Sequence, residues 1–258
     1  MRCIYCVLSF FILTVTKSQT DDLYQFWNEY DLCQDLSQKW VVELDAGFVS
    51  SSTPTDNNIF HNITQVYLRG WAHYYPGQRW KVSVFYAHYS NKNVPELNQK
   101  KAREFRSAIQ ATYNLYKTTA IKINLRGRIE DRHLENEDGY MEAVERFRFQ
   151  VKALYPLVNS KNKFYFFASD ELFFKTKSQI SGPDFFDRNR ASIGLGLTIA
   201  RNIQIEAAYA NEIMPRNGTD KLVNAFQVKG IFNNFFSAVT KPFKRKKSPV
   251  DEGEGIGL

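Results

Sequence analysis

AIKINLRGRIEDR, residues 120–132, decides the fold when it is laid out in steps of two. Ile121, Ile123, Leu125, Gly127 and Ile129 are apolar or small, whereas Lys122, Asn124, Arg126, Arg128, Glu130 and Arg132 are polar and mostly charged. A period of two is that of a strand whose two faces meet different surroundings. A soluble sandwich turns the greasy face inward and the charges to water. Here the pattern recurs along nearly the whole chain, with bulky apolar faces about ten residues long, which is the dyad repeat of a transmembrane β-barrel with lipid outside and a polar lumen inside.

Working outward from that segment, the strand pattern covers residues 23–34, 40–50, 63–75, 80–90, 104–116, 120–132, 143–155, 164–174, 186–200, 203–211 and 222–232. Short links near 35–39, 76–79, 117–119 and 201–202, with a somewhat longer one at 156–163, alternate with long polar ones at 51–62, 91–103, 133–142, 175–185 and 212–221. Short periplasmic turns and longer external loops are the asymmetry expected of such barrels. Trp40, Trp80, Tyr75, Tyr116 and Tyr155 flank the short links and are expected to form an aromatic girdle. Eleven segments sit awkwardly with the even strand counts of bacterial barrels. The expectation is therefore an all-β, antiparallel, outer-membrane-type barrel of about 10–12 strands, with one segment miscounted. Phe235–Phe243 is the candidate for a missing strand, weakened by Pro242.

Ahead of the barrel, Arg2, the apolar run Cys3–Val15 and Thr16-Lys17-Ser18 read as a signal peptide over residues 1–18. No later stretch nears the ~18 apolar residues of a transmembrane helix. The barrel is expected over 19–235 and a basic-then-acidic, disordered tail over 236–258. That tail, or the loops, could meet another envelope protein or anionic lipid. Loss of Cys3 and Cys6 with the leader strands Cys33, so no disulfide framework is available. The net charge of +7 falls largely on inward strand positions, which argues against nucleic acid as a partner. A mean hydropathy of −0.42 fits a barrel and a soluble protein equally.

Several segments resemble a known family. Tyr67-Leu68-Arg69-Gly70, Glu104-Phe105-Arg106 leading to Gln110, and Leu125-Arg126-Gly127-Arg128-Ile129-Glu130 look like its spaced Arg/Glu strand motifs. Arg146-Phe147-Arg148, Asp170-Glu171-Leu172-Phe173 and Phe186-Asp187-Arg188-Asn189-Arg190 leading to Gly194-Leu195-Gly196 follow suit. Over residues 22–232 the set is similar to the domain-of-unknown-function 2490 family of outer-membrane β-barrels. The resemblance implies fold and location, integral in the outer membrane of a Gram-negative bacterium, and it implies no activity. The tail runs past the family's pattern.

Parity places Arg69, Lys81, Arg106, Lys122, Arg126, Arg128, Arg132, Arg146, Arg148, Lys152, Arg190 and Lys229 in the lumen, with Glu29, Asp31, Glu43, Asp45, Glu130, Glu171 and Glu206. Two readings stay open. One is a packed ion-pair network in a structural or partner-binding envelope protein; the other is a narrow conduit with a basic stripe for small polar or anionic solutes. One local motif suggests an enzyme instead. His88, Ser90 and Asn91 resemble the rim motif of outer-membrane lipid A deacylases, which implies a base, a nucleophile and an oxyanion contributor. The nearest orienting acid, Glu104, has inward parity. His61, His73 and His133 are isolated, no spacing suggests a metal, and no glycine-rich phosphate loop follows a strand, so no cofactor is expected. A soluble, secreted β-sandwich binding protein is the competing class.

Overall fold

The computed structural model describes residues 20–53, 58–92, 94, 101–135, 138–157, 163–216 and 219–235. The expected leader (1–18) and tail (236–258), with most of Phe235–Phe243, lie outside the described residues. Eleven strands follow one another: β1 Thr20–Asp35, β2 Trp40–Ser51, β3 Ile63–Tyr74, β4 Trp80–Asn91, β5 Ala102–Lys117 and β6 Lys122–Glu135. β7 spans Met141–Pro156, β8 Phe164–Lys175, β9 Phe186–Ala200, β10 Ile203–Met214 and β11 Asp220–Asn233. Each pairs antiparallel with its sequence neighbour, and β11 returns to β1 to close the barrel.

The distribution of side chains inverts that of a soluble core. Ile109, Ile129, Ile193 and Leu195 are more than half exposed on the outer wall, while Glu104, Glu130, Glu171 and Lys175 are at most 1% exposed inside. β4 alternates strictly, Val82, Val84 and Tyr86 outward against Lys81, Ser83, Phe85 and Ala87 inward. Exposed apolar surface on this scale is what hydrocarbon, not water, stabilises. No helix among the described residues is long and apolar enough to cross a membrane.

Trp40 packs against Tyr74 at 4.8 Å and Trp80 against Tyr113 at 4.7 Å, both ring pairs tilted, beside the short turns. Those two tyrosines, rather than Tyr75, partner the tryptophans because cross-strand neighbours share a face.

The expected even count is corrected by the closing seam. All eleven segments are strands, and an odd number forces β1 and β11 to run parallel, in register from Thr20↔Asp220 to Cys33↔Asn233. The first strand therefore starts at the long-loop rim and the last ends at the short-turn rim, so the barrel's two ends do not share a side. Parallel pairing is slightly the weaker kind, and side chains reinforce it at three heights. Leu23 and Trp27 pack on the Ala210, Met214, Val223 and Ala225 cluster. Lys229 reaches Glu29 and Asp31 from across the seam. At the short-turn end Asn234 Nδ2 donates to Asp35 Oδ2 at 2.9 Å, and Asn234 Oδ1 accepts from Asp35 N at 3.1 Å.

Candidate functional site: the charged lumen

The inward positions of β5 to β10 build a ladder in which Glu104, Glu130, Glu171 and Glu212 are each shared between guanidinium groups. Glu130 on β6 accepts from Arg146 at 2.5 and 2.8 Å, from Arg148 at 2.8 Å and from Arg128 at 3.2 Å. Glu171 on β8 receives the Arg148 fork at 2.8 and 2.9 Å and Arg126 at 2.8 Å. Nearer the long-loop rim, Glu104 binds Arg106 at 2.5 and 2.9 Å and Arg132 at 2.6 Å. Glu212 holds Arg190 and, at 2.9 Å, Arg188. Sharing follows from the arithmetic of charge: arginines outnumber carboxylates on this wall, and a buried ion survives only when paired and hydrogen-bonded.

Arg188 was not among the expected lumen residues, although it shares the parity of Arg190 and turns inward with it. A register shift between Phe173 and Phe174 lets β9 carry one extra residue, Asp187, so that Phe186 turns outward toward Phe174 instead of inward with Arg188. Asp187 then accepts from Arg188 at 3.0 Å and Arg216 at 3.2 Å. Bulges break parity, and strict alternation cannot reveal them.

The opposite wall, β1 to β3, holds the acids. Glu29 accepts from Arg69 at 2.5 Å and from the Tyr67 hydroxyl at 2.7 Å, and pairs with Lys229 at 3.0 Å. Tyr67 reaches it across Gly47, where an added Cβ would lie 2.4 Å from the phenol oxygen. Asp45 accepts from Arg69 at 3.0 Å and from Trp71 Nε1 at 2.7 Å. His73 bridges Ser83 (2.8 Å) and Glu43 (3.3 Å). Glu29, Asp31 and Asp45 bring carboxylate oxygens within 4.8 Å of one another, the spacing of a cation site. Arg69 and Lys229 already sit on those oxygens, so the residues fit internal cations better than a metal.

Aromatic rings fill the space between charges. Arg106 lies over Tyr89 at 3.7 Å, Arg148 over Phe173 at 4.4 Å, Arg190 over Trp27 at 4.7 Å and Lys152 over Phe167 at 4.6 Å. A ring face partly replaces the water that a guanidinium loses on burial. These inward rings escaped the sequence reading, which assigned aromatics to the girdle.

A cavity of about 340 Å³ runs through this network, lined by twelve Lys and Arg side chains and seven carboxylates. On the β5–β10 wall several cations stand more open than the carboxylates they bind: Arg190 (28%) against Glu212 (3%), Lys152 (26%) against Glu206 (12%) and Arg126 (19%) against Glu171 (2%). At the seam Lys229 (22%) covers Glu29 (11%) and Asp31 (3%), while Glu43 (18%) on the acidic wall is about as open as Arg126. Water on the arginine wall therefore meets positive charge first.

The hydrolase motif is split by the wall. His88 and Ser90 face outward, with His88 packed 4.9 Å from the Phe105 ring. Asn91 is turned into the barrel, accepting from Gln65 Nε2 at 2.7 Å, and Glu104 is held inside by two arginines. Successive residues of a strand point to opposite faces, so the Asn91 side chain lies across the wall from Ser90.

Residues 24–223 match the model of a family described as "Protein of unknown function (DUF2490)". No curated protein matches the chain. Among solved structures, one titled "Bacterial polysaccharide outer membrane secretin" aligns with a TM-score of 0.50 at 12% identity, covering 74% of this chain and 63% of that one. The chain thus spans less than two thirds of that protein's length, and the likeness is one of fold. The NanC porin aligns at 11% identity and a TM-score of 0.49, over 81% of this chain and 98% of that one. The β domain of the Bordetella autotransporter BrkA gives 11% and 0.48, over 80% and 87%.

Proposed function

The chain belongs to the DUF2490 family, and from that premise we propose that it is an integral barrel of a Gram-negative outer membrane whose lumen is a narrow conduit favouring small anionic solutes. In this reading residues 1–18 are the leader that exports it. The observation that carries the reading is that Arg126, Lys152, Arg190 and Lys229 each stand more open to the lumen than the carboxylates they bind. Arginine and lysine linings select anions because they replace part of a solute's lost hydration and repel cations. The ion pairs leave this lining net positive rather than neutral.

Purified protein in a planar bilayer under a KCl gradient tests it. The expected result is a small conductance with a reversal potential on the chloride side. A bilayer that stays sealed overturns the conduit and leaves a structural or partner-binding envelope component, with the lumen network serving as its core.

A further inference from the structure

Asp170 on β8 faces outward, not into the lumen. It accepts from Asn189 Nδ2 on β9 at 2.6 Å. Its height in the wall follows from the register. The row of paired residues through Asp170 passes Leu125 and reaches Trp80, in the short-turn girdle, four strands away. In the other direction it passes Asn211 and reaches Tyr24, near the long-loop rim, again four strands away. Strands of a closed barrel tilt, so such a row climbs from one rim to the other, and Asp170 lies midway. On its own strand the outward neighbours are Ala168 and Leu172, both apolar. The outward carboxylate Glu145, by contrast, sits at the long-loop rim, where its carbonyl accepts from Thr176 N.

A carboxylate at the middle of a hydrocarbon-facing wall is costly and is expected where protein, not lipid, covers it. This one accepts a single side-chain hydrogen bond, although a carboxylate offers about four acceptor sites. The second N–H of Asn189 makes only a 3.4 Å contact with Glu171 O. Asp170 thus has acceptor sites to spare, and beside it the Asn189 amide, 9% exposed, holds its second acceptor only loosely. We propose that the outer face of β8 and β9 is a two-fold interface between copies of this chain in the membrane. There Asn189 of each copy donates to the partner's Asp170. A two-fold axis requires a patch to complement itself, and an acid beside an amide does so without a charge from any other protein. Ala168 and Ala191, flanking the pair, let two walls approach.

The inference rests on the membrane-spanning reading of the outer wall, and the test separates the two. Full-length protein carrying Ala191→Cys is expressed in membranes and oxidised; native Cys33 is buried and does not react. A covalent dimer is expected, absent when Ile109→Cys, on β5, replaces Ala191→Cys, and several-fold reduced when Asp170→Leu is added. Asp170→Ala serves if the leucine variant loses the heat-modifiable gel mobility of a folded barrel. Crosslinking no stronger than the Ile109→Cys control, or unchanged by Asp170→Leu, overturns the interface, as does a product of another mass. Protein that fractionates without detergent overturns the membrane reading itself.

Discussion

Glu130 shows how much one carboxylate carries. It is fully buried and accepts from three arginines, so Glu130→Gln takes the carboxylate from Arg146 and Arg128 and leaves Arg148 only its fork on Glu171. Breaking a buried pair in this way costs about 3–5 kcal/mol, and urea unfolding of the refolded barrel in micelles is expected to show a loss of that size. Gly196 tests packing instead of charge. An added Cβ would lie 2.0 Å from Tyr165 Cζ, and that ring's hydroxyl donates to Glu206 at 2.7 Å. Gly196→Ala is expected to destabilise by about 1–3 kcal/mol. Combined with Tyr165→Ala the cost should be less than additive, because the second change removes the clash. At this scale parity made the charged lumen legible: Arg126, Arg128, Arg146 and Arg148 all lie inside. What alternation cannot express is a shift of parity, as at Asp187, or a ring such as Trp71 or Phe173 that serves an arginine rather than the membrane interface.

Among the elements, each strand was visible because β-branched and aromatic residues alternate with charge between turn-forming clusters. Closure was not, because pairing between the first and last strands leaves no mark in local periodicity. The parallel seam makes a clear prediction for topology. An epitope placed directly before Thr20 should be reached by antibody on intact cells, since β1 begins beside the long loops. One placed after Phe235 should be reached only after permeabilisation. Equal labelling of both in intact cells would contradict the seam. The β8–β9 loop also has a defined anchor. Glu142 on β7 accepts from Ser178 Oγ at 2.9 Å, Gln179 N at 2.7 Å and Ile180 N at 3.2 Å. Glu142→Ala should therefore speed proteolysis within 176–185 without altering the strands.

For the whole molecule the governing feature is the division of the lumen into an acidic wall on β1 to β3 and an arginine wall on β5 to β10. Arg190→Glu reverses the most exposed charge of the arginine wall. A severalfold fall in anion-over-cation permeability is expected, most evident at low ionic strength, where screening is weakest. An unchanged ratio would place the selective contact elsewhere in the lumen. The odd number of strands carries a further consequence, for assembly. Without β11, the exposed edges of β1 and β10 run in opposite directions and can mate into a smaller ring, its circumference shorter by one strand spacing of about 5 Å. A growing chain thus meets a premature way to seal before its last segment arrives, and Asp220–Asn233 must insert between edges already able to join each other.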